Sequence, residues 1–203
     1  MPRILESIVA TRAESGWHLV PFGLIEEGDA LVVAPFRPSP SIANLERHPF
    51  LSAAAPADIR VLAGCVTGRR DWPTLPCERI DAVRLADAYA HAELEVVDVA
   101  DDPVRPRFRC RVVHEAMHRP FVGYNRAQAA VLEAAILSTR LHMLAPEKII
   151  GEMSYLAIAV SKTAGPAERE AWSWIEDKVR AALPPGGASL LADPAPDRKE
   201  TSP

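Results

Sequence analysis

An antiparallel β-barrel followed by a helical region is the fold class this sequence predicts, and three observations carry the prediction. Short β-rich runs separated by turn residues fill residues 1–118, and one early helix interrupts them. From Asn125 onward the apolar spacing turns helical. Six or more strands around a single helix suit a closed or partly closed barrel better than a parallel α/β sheet, which needs a helix between successive strands.

The first three strands are expected at Ile4–Thr11, Trp17–Ile25 and Ala30–Phe36, separated by Glu14-Ser15-Gly16 and Glu26-Glu27-Gly28-Asp29. Ser41 reads as the N-cap of a two-turn helix that runs to His48, because Pro49 stops it. Further strands are predicted at Phe50–Ala54, Ile59–Val66, Ala90–Val99 and Phe108–His114, with a charged, proline-rich loop over Arg69–Pro76. The spacing then predicts a helix from a cap at Asn125 to Leu144, apolar almost all round. Its charges, Arg126, Glu133 and Arg140, fall on one stripe seven residues apart. A second helix opens at Pro146 with Ile149, Ile150, Met153, Leu156, Ala157 and Val160 on its apolar face, and Gly165-Pro166 ends it. A third, about Ala167–Leu183, turns Ala171, Trp172, Ile175, Val179 and Ala182 to one side. The domains are therefore expected at 1–118 for the barrel and 119–183 for the helical part, with 184–203 a disordered tail.

Composition narrows the function. Among 203 residues, 48% are apolar and 25% charged, as in an ordinary globular protein with a real core. A net charge of −4 argues against a nucleic-acid partner, which calls for a basic face. No apolar run reaches membrane-spanning length and no signal peptide is apparent, so the cytoplasm is the expected location. Cys65, Cys77 and Cys110 are odd in number and widely spaced. They read as small core residues, and neither a disulfide framework nor a paired-cysteine zinc site is expected.

The segment Pro35–Leu45 has the outline of a phosphate seat. It places Arg37, Ser39 and Ser41 where an apolar strand hands over to a helix N-terminus, whose amides and partial positive charge favour anions. A capped surface helix with a solvated arginine reads equally well from position alone. His114-Glu115-Ala116-Met117-His118 matches the H-E-x-x-H zinc signature, but the run into it is β-like. On a strand the two histidines stand about 13 Å apart, too far to share a metal, so no metal site is expected there. Charges on a buried helix must be paired, which suggests Glu147, Lys148 or Glu152 as partners for the Arg126, Glu133 and Arg140 stripe. Trp172 and Trp174 cannot both face one core, which places one at an interface. No Gly-rich nucleotide loop, nucleophile elbow or nucleophile–base pair is present, which points toward chemistry performed by a cofactor.

Taken together, Ile4–Arg12, His18–Gly23, Pro35–Leu45 and the run Arg119-Pro120-Phe121-Val122-Gly123-Tyr124-Asn125-Arg126-Ala127 leading to Glu133–Leu141 resemble the family catalogued as domain of unknown function 447. That family is found in methanogens and methylotrophs and is related to the FMN-binding split-barrel, flavin reductase-like proteins. The resemblance implies a mainly β fold with α: a split β-barrel of antiparallel Greek-key type followed by a C-terminal helical subdomain. It also implies a homodimer that holds FMN at the subunit interface. It makes Arg37, Ser39, Ser41 and Asn44 the expected contacts to phosphate and ribityl groups, and Pro21, Phe22 and Gly23 the segment whose backbone lies near the flavin ring. Relatives commonly carry an asparagine in the strand after the helix, where this chain has Ser52-Ala53-Ala54-Ala55.

The function so implied is that of a flavin-dependent oxidoreductase passing hydride between a nicotinamide donor and a small or pterin-like acceptor. A tie to methanopterin-dependent one-carbon metabolism follows from the family's distribution. A non-catalytic dimeric flavin-binding or assembly module, with the helical region and an exposed Trp174 as its surface, is the alternative. A haem or deazaflavin binder of the same fold is a further one.

Overall fold

The computed structural model describes residues 2–184 and Leu191. The tail expected over 184–203 thus lies outside the described residues except at its first position and at Leu191. Two compact units form. The first joins the chain up to Val61 with Arg70–Phe121, and the second joins Leu62–Arg69 with the chain from Val122 onward.

The first unit is a closed six-stranded antiparallel barrel. Strands β1 (Ile4–Arg12), β2 (Trp17–Glu27) and β3 (Ala30–Val33) form the expected meander. Helix α1 (Pro40–Arg47) and strand β4 (Phe50–Pro56) follow, and the long β7 (Ala88–Ala100) and β8 (Arg107–Met117) complete the wall in the order β1-β2-β3-β8-β7-β4. The barrel closes where β4 pairs with β1, from Ile8↔Ala54 to Thr11↔Leu51. Side chains alternate across each strand, so Val9, Leu24, Val33, Leu51, Leu94 and Phe108 fill the interior, and α1 adds Ile42 and Leu45. Each such side chain contributes roughly 1.5–3 kcal/mol by leaving water.

Several elements differ from expectation. Ile59–Val66 is helix α2, not a strand. The β-branched content of that run favours a strand, but Asp58 starts a helix by accepting from the Arg60 amide at 2.9 Å, and the Val61 amide closes the first turn onto its carbonyl at 3.2 Å. The loop over Arg69–Pro76 holds a short strand, β5 (Thr74–Pro76), which pairs with β6 (Val83–Leu85). Strand β3 stops at Val33, and the chain beyond it is held by Arg37 N–H donating to Val104 O at 2.9 Å.

In the second unit α3 (Arg126–Ser138), α4 (Pro146–Thr163) and α5 (Pro166–Ala182) appear where helical spacing begins. Asn125 caps α3 as expected, its side chain accepting from Ala127 and Gln128 amides. The helix ends at Ser138, well before Leu144, and a single 3-10 turn covers Leu141–Met143. Ser138 and Thr139 hydroxyls donate to Ala135 and Ile136 carbonyls there, a local alternative to helical bonding. The α3 core face is made of small residues, Ala127, Ala130, Ala134 and Ala135 with Val131, while Arg126, Glu133 and Arg140 are exposed. A charged stripe on a buried helix is therefore corrected to a solvated one, and Lys148 pairs with Glu152 on its own helix. On α5, Ala171, Trp172, Ile175 and Val179 are buried as expected, and Ala182 is exposed. Trp174 is half-buried with the Arg69 guanidinium 4.4 Å over its ring, so it does not supply an exposed aromatic surface. Among the described residues no helix is long and apolar enough to cross a membrane.

Candidate functional site

The β3–α1 connection and α1 itself carry four of the seven residues singled out for cofactor contact. The helix starts two residues earlier than expected: Ser39 is the N-cap, Pro40 opens the first turn, and Ser41 lies inside it. Ser39 Oγ accepts from the Ser41 amide at 3.3 Å, and the Ile42 amide donates to Ser39 O at 3.1 Å. Two amides that a cap at Ser41 would have left free are thus used within the turn. Ser41 Oγ is buried and has no hydrogen-bond partner among the described residues. Buried hydroxyls almost always have one. Replacing Ser39 by alanine is expected to cost about 1 kcal/mol through the lost cap, read as a lowered denaturant midpoint.

Arg37 is exposed beside this turn. Its Nε donates to Asp102 O at 3.1 Å, and its terminal amino group pairs with Asp101 at 2.9 Å. The connection between β7 and β8 therefore orients it. Arg105 adds to this clamp by donating to Ala34 O at 2.8 Å, with its guanidinium 4.7 Å over the Phe36 ring. The turn itself rests on the Asp102 carboxylate, which accepts from the amides of Arg105 and Val104 and is thereby held below the ordinary aspartate value. A depressed carboxyl contributes its stabilisation above the unfolded value and loses it as pH falls through the folded one. Acidification is therefore expected to loosen this turn, seen as lost exchange protection at the Val104 and Arg105 amides, with Asp102→Asn lacking the pH dependence.

Asn44, the fourth residue, is buried and committed to the fold. Its Nδ2 donates to Thr11 Oγ1 at 3.0 Å, and its Oδ1 accepts from Arg47 at 3.0 Å, which ties α1 to β1.

Pro21, Phe22 and Gly23 lie on β2 opposite Ile8, Ser7 and Glu6. Phe22 packs against the barrel core, so alternation turns Pro21 and Gly23 outward. A Cβ on Gly23 would meet Ile4 Cγ2 at 2.6 Å, which shows how closely β1 covers this point. A cavity of about 660 Å³ opens between Leu5, Leu24, Leu31, Ala53, His91 and Met117. That size and apolar lining suit a small organic ligand.

Sequence reasoning missed a buried polar cluster on the outer wall of β7. His91 and Glu93 share one face of that strand, opposite to Ala92 and Leu94, and the chain from Cys77 to Val83 covers them. Glu93 is wholly buried, with its carboxylate accepting from the amides of Glu78 (2.6 Å), Arg79 (2.7 Å) and Ile80 (3.1 Å). Burial pushes its carboxyl up. The amides and His91 together outweigh that and hold it below the ordinary glutamate value. His91 Nε2 lies 3.2 Å from Glu93 Oε1, and its Nδ1 lies 2.9 Å from Nε2 of His118. The signal was available as Ala90-His91-Ala92-Glu93-Leu94, whose two-residue period puts both polar groups on one face. The H-E-x-x-H run lies on β8 and the first residue after it, so the helix a metalloprotease requires is absent. His114 instead lies 3.4 Å from Glu78. Cys65 and Cys110 are buried core residues as expected, whereas Cys77 is half-buried beside the polar cluster.

A closed six-stranded antiparallel barrel with a capped helix after its third strand, followed in the chain by three helices, defines the class of this protein as a split barrel with a helical extension. Residues 5–119 match the family model described as the N-terminal domain of a protein of unknown function (DUF447), and residues 125–177 match the second model of that family. The chain belongs to the domain of unknown function 447 family. It is similar in structure to an FMN-bound protein of this family from Methanosarcina mazei, with 20% identity, a TM-score of 0.75, and 88% of this chain and 96% of that one covered. It is also similar to flavoredoxin from Methanosarcina acetivorans, at 14% identity and a TM-score of 0.50 over 61% of this chain and 72% of that one. No curated protein matches the sequence.

Proposed function

We propose that this chain binds FMN, and that it works as a homodimer with the cofactor at the subunit interface in an oxidoreductase reaction on a small molecule. The observation that carries this reading is the Ser41 hydroxyl in the first turn of α1, buried and without a hydrogen-bond partner among the described residues, with Arg37 on the connection that leads into the same helix. A phosphate oxygen would satisfy the one and pair with the other. The FMN in the Methanosarcina mazei relative supports the choice of cofactor. Exposed Phe36, Met117 and Phe121 on the barrel unit support burial against a second copy.

In this reading Arg37 and Ser41 hold the phosphate, Ser39 shapes the turn, and Asn44 keeps α1 seated on the barrel. The outward face of Pro21–Gly23 lies toward the ring. FMN would supply the hydride chemistry, with reduced nicotinamide as donor and a small, ring-containing molecule of pterin size among the acceptors the reading admits.

The purified protein should show a flavin absorbance spectrum, elute as a dimer, and bleach on addition of reduced nicotinamide. A haem or deazaflavin spectrum would replace the cofactor. Bound FMN that neither nicotinamide reduces would overturn the oxidoreductase half of the proposal. The alternative of an assembly module loses support from Trp174, whose ring lies beneath Arg69.

A further inference from the structure

Away from the residues assigned to FMN, one group among the described residues consists only of metal-ligating types. Cys77, His91 and Glu93 each offer a donor atom, and the three donors lie within 4.8 Å of one another. They form a set of sulfur, imidazole nitrogen and carboxylate oxygen, the mixture that suits zinc-like divalent cations better than calcium or magnesium, which prefer oxygen alone.

The surroundings are those of a prepared site. Glu93 and His91 stand two residues apart on β7, and Cys77 reaches them from the end of the β5 segment. Three backbone amides fix the carboxylate in place, and Ser52 lies beside the thiol. His118 Nε2 meets His91 Nδ1 at 2.9 Å with the two rings stacked, centroids 5.0 Å apart. When His91 Nδ1 donates to His118, the Nε2 lone pair of His91 faces Glu93. Outer contacts of this kind orient ligating histidines. Charge gives the same answer, since one thiolate and one carboxylate neutralise a divalent cation. A nearby cation is Arg84, held by Leu85 O at 3.4 Å, with its Nε buried and unbonded among the described residues.

We propose that Cys77, His91 and Glu93 form a site for one divalent transition-metal cation of zinc's class, with a fourth position open to water or a small ligand. The hydrogen bond between His91 Nε2 and Glu93 is the metal-free arrangement of the same residues. On binding, the Cys77 proton leaves to solvent, and His91 gives up its Nε2 proton and takes one at Nδ1 from His118 Nε2, while His118 takes up a proton at its own Nδ1. The bound cation then ties the Cys77–Val83 segment to the barrel wall. The H-E-x-x-H histidines are not ligands: His118 only orients His91.

Full-length protein stripped with a chelator should take up one equivalent of Zn²⁺ per chain. Co²⁺ should give the same stoichiometry with a thiolate-to-metal charge-transfer band in the near ultraviolet and the strong visible bands of four-coordinate cobalt. Cys77→Ser, a near-isosteric change at a half-buried residue, should abolish the charge-transfer band and weaken Zn²⁺ binding at least tenfold. His118→Ala should keep the band. Failure of the wild-type protein to bind either metal, or cobalt bound without a thiolate band, overturns the proposal. So does a band that survives Cys77→Ser, which would move the thiolate elsewhere. The wild-type cobalt spectrum decides the matter even if a variant fails to fold.

Discussion

Glu93→Ala is expected to destabilise the barrel unit by about 3–5 kcal/mol, the cost of breaking a buried charged network by removing one partner. The carboxylate is the shared acceptor for the amides of Glu78, Arg79 and Ile80 and for His91. Truncation strands three backbone donors beneath the segment that covers β7, and each buried unsatisfied donor costs about 1–3 kcal/mol where water cannot reach it. A loss of this size is a large share of the roughly 5–15 kcal/mol that holds a typical domain together. Denaturant unfolding should therefore show a much lower midpoint. Glu93→Gln should recover part of the loss, because its remaining oxygen still accepts while its amide group opposes the other donors. An unchanged midpoint for Glu93→Ala would show that the segment from Cys77 to Val83 is not held by this carboxylate.

The second large effect concerns Arg37. If it anchors phosphate, Arg37→Ala removes a charge-assisted hydrogen bond worth about 1.5–3 kcal/mol, or roughly ten- to a hundredfold in FMN affinity. The structure refines this expectation, because Asp101 and Asp102 O already hold the guanidinium. Asp101→Asn should leave Arg37 oriented by its bond to Asp102 O and change affinity far less. Ser41→Ala gives a prediction with opposite signs. The hydroxyl has no partner among the described residues, so removing it should not lower the stability of the cofactor-free protein. It should weaken FMN by about 1 kcal/mol, roughly fivefold. Titration of FMN fluorescence checks both, and unchanged affinity in Arg37→Ala would place the phosphate elsewhere.

Much of the barrel could be read from local patterning. The first two hairpins follow from alternation and from Gly16 and Gly28, which adopt the positive φ values of 79° and 66° that their turns require. The three C-terminal helices follow from apolar spacing, from Asn125 and Pro146 at the first two starts, and from the break at Gly165-Pro166, where Pro166 proves to open α5. Failures occurred where a local preference was outvoted. Val61, Cys65 and Val66 favour a strand, yet Asp58 and burial of Val61, Leu62, Ala63 and Cys65 make a helix. Ser41 looked like the cap, but Pro40 requires no amide partner and so moves the cap back to Ser39. The α3 helix reads as buried all round because its core face is alanine, which scores as apolar on every side without filling much volume.

The sequence by itself determined the strand meander, the capped helix after the third strand, the switch to helices at Asn125, and the family to which the chain belongs. These are short-range properties, set by side-chain period, caps and turn chemistry. Only the tertiary structure decided the closing pair of β4 on β1, the committed role of Asn44, the orphaned Ser41 hydroxyl, and the meeting of Cys77, His91, Glu93 and His118. Each of those depends on residues brought together from distant parts of the chain. Strand register and the burial that follows from it select such partners, and neither is written in the residues on one side of the contact.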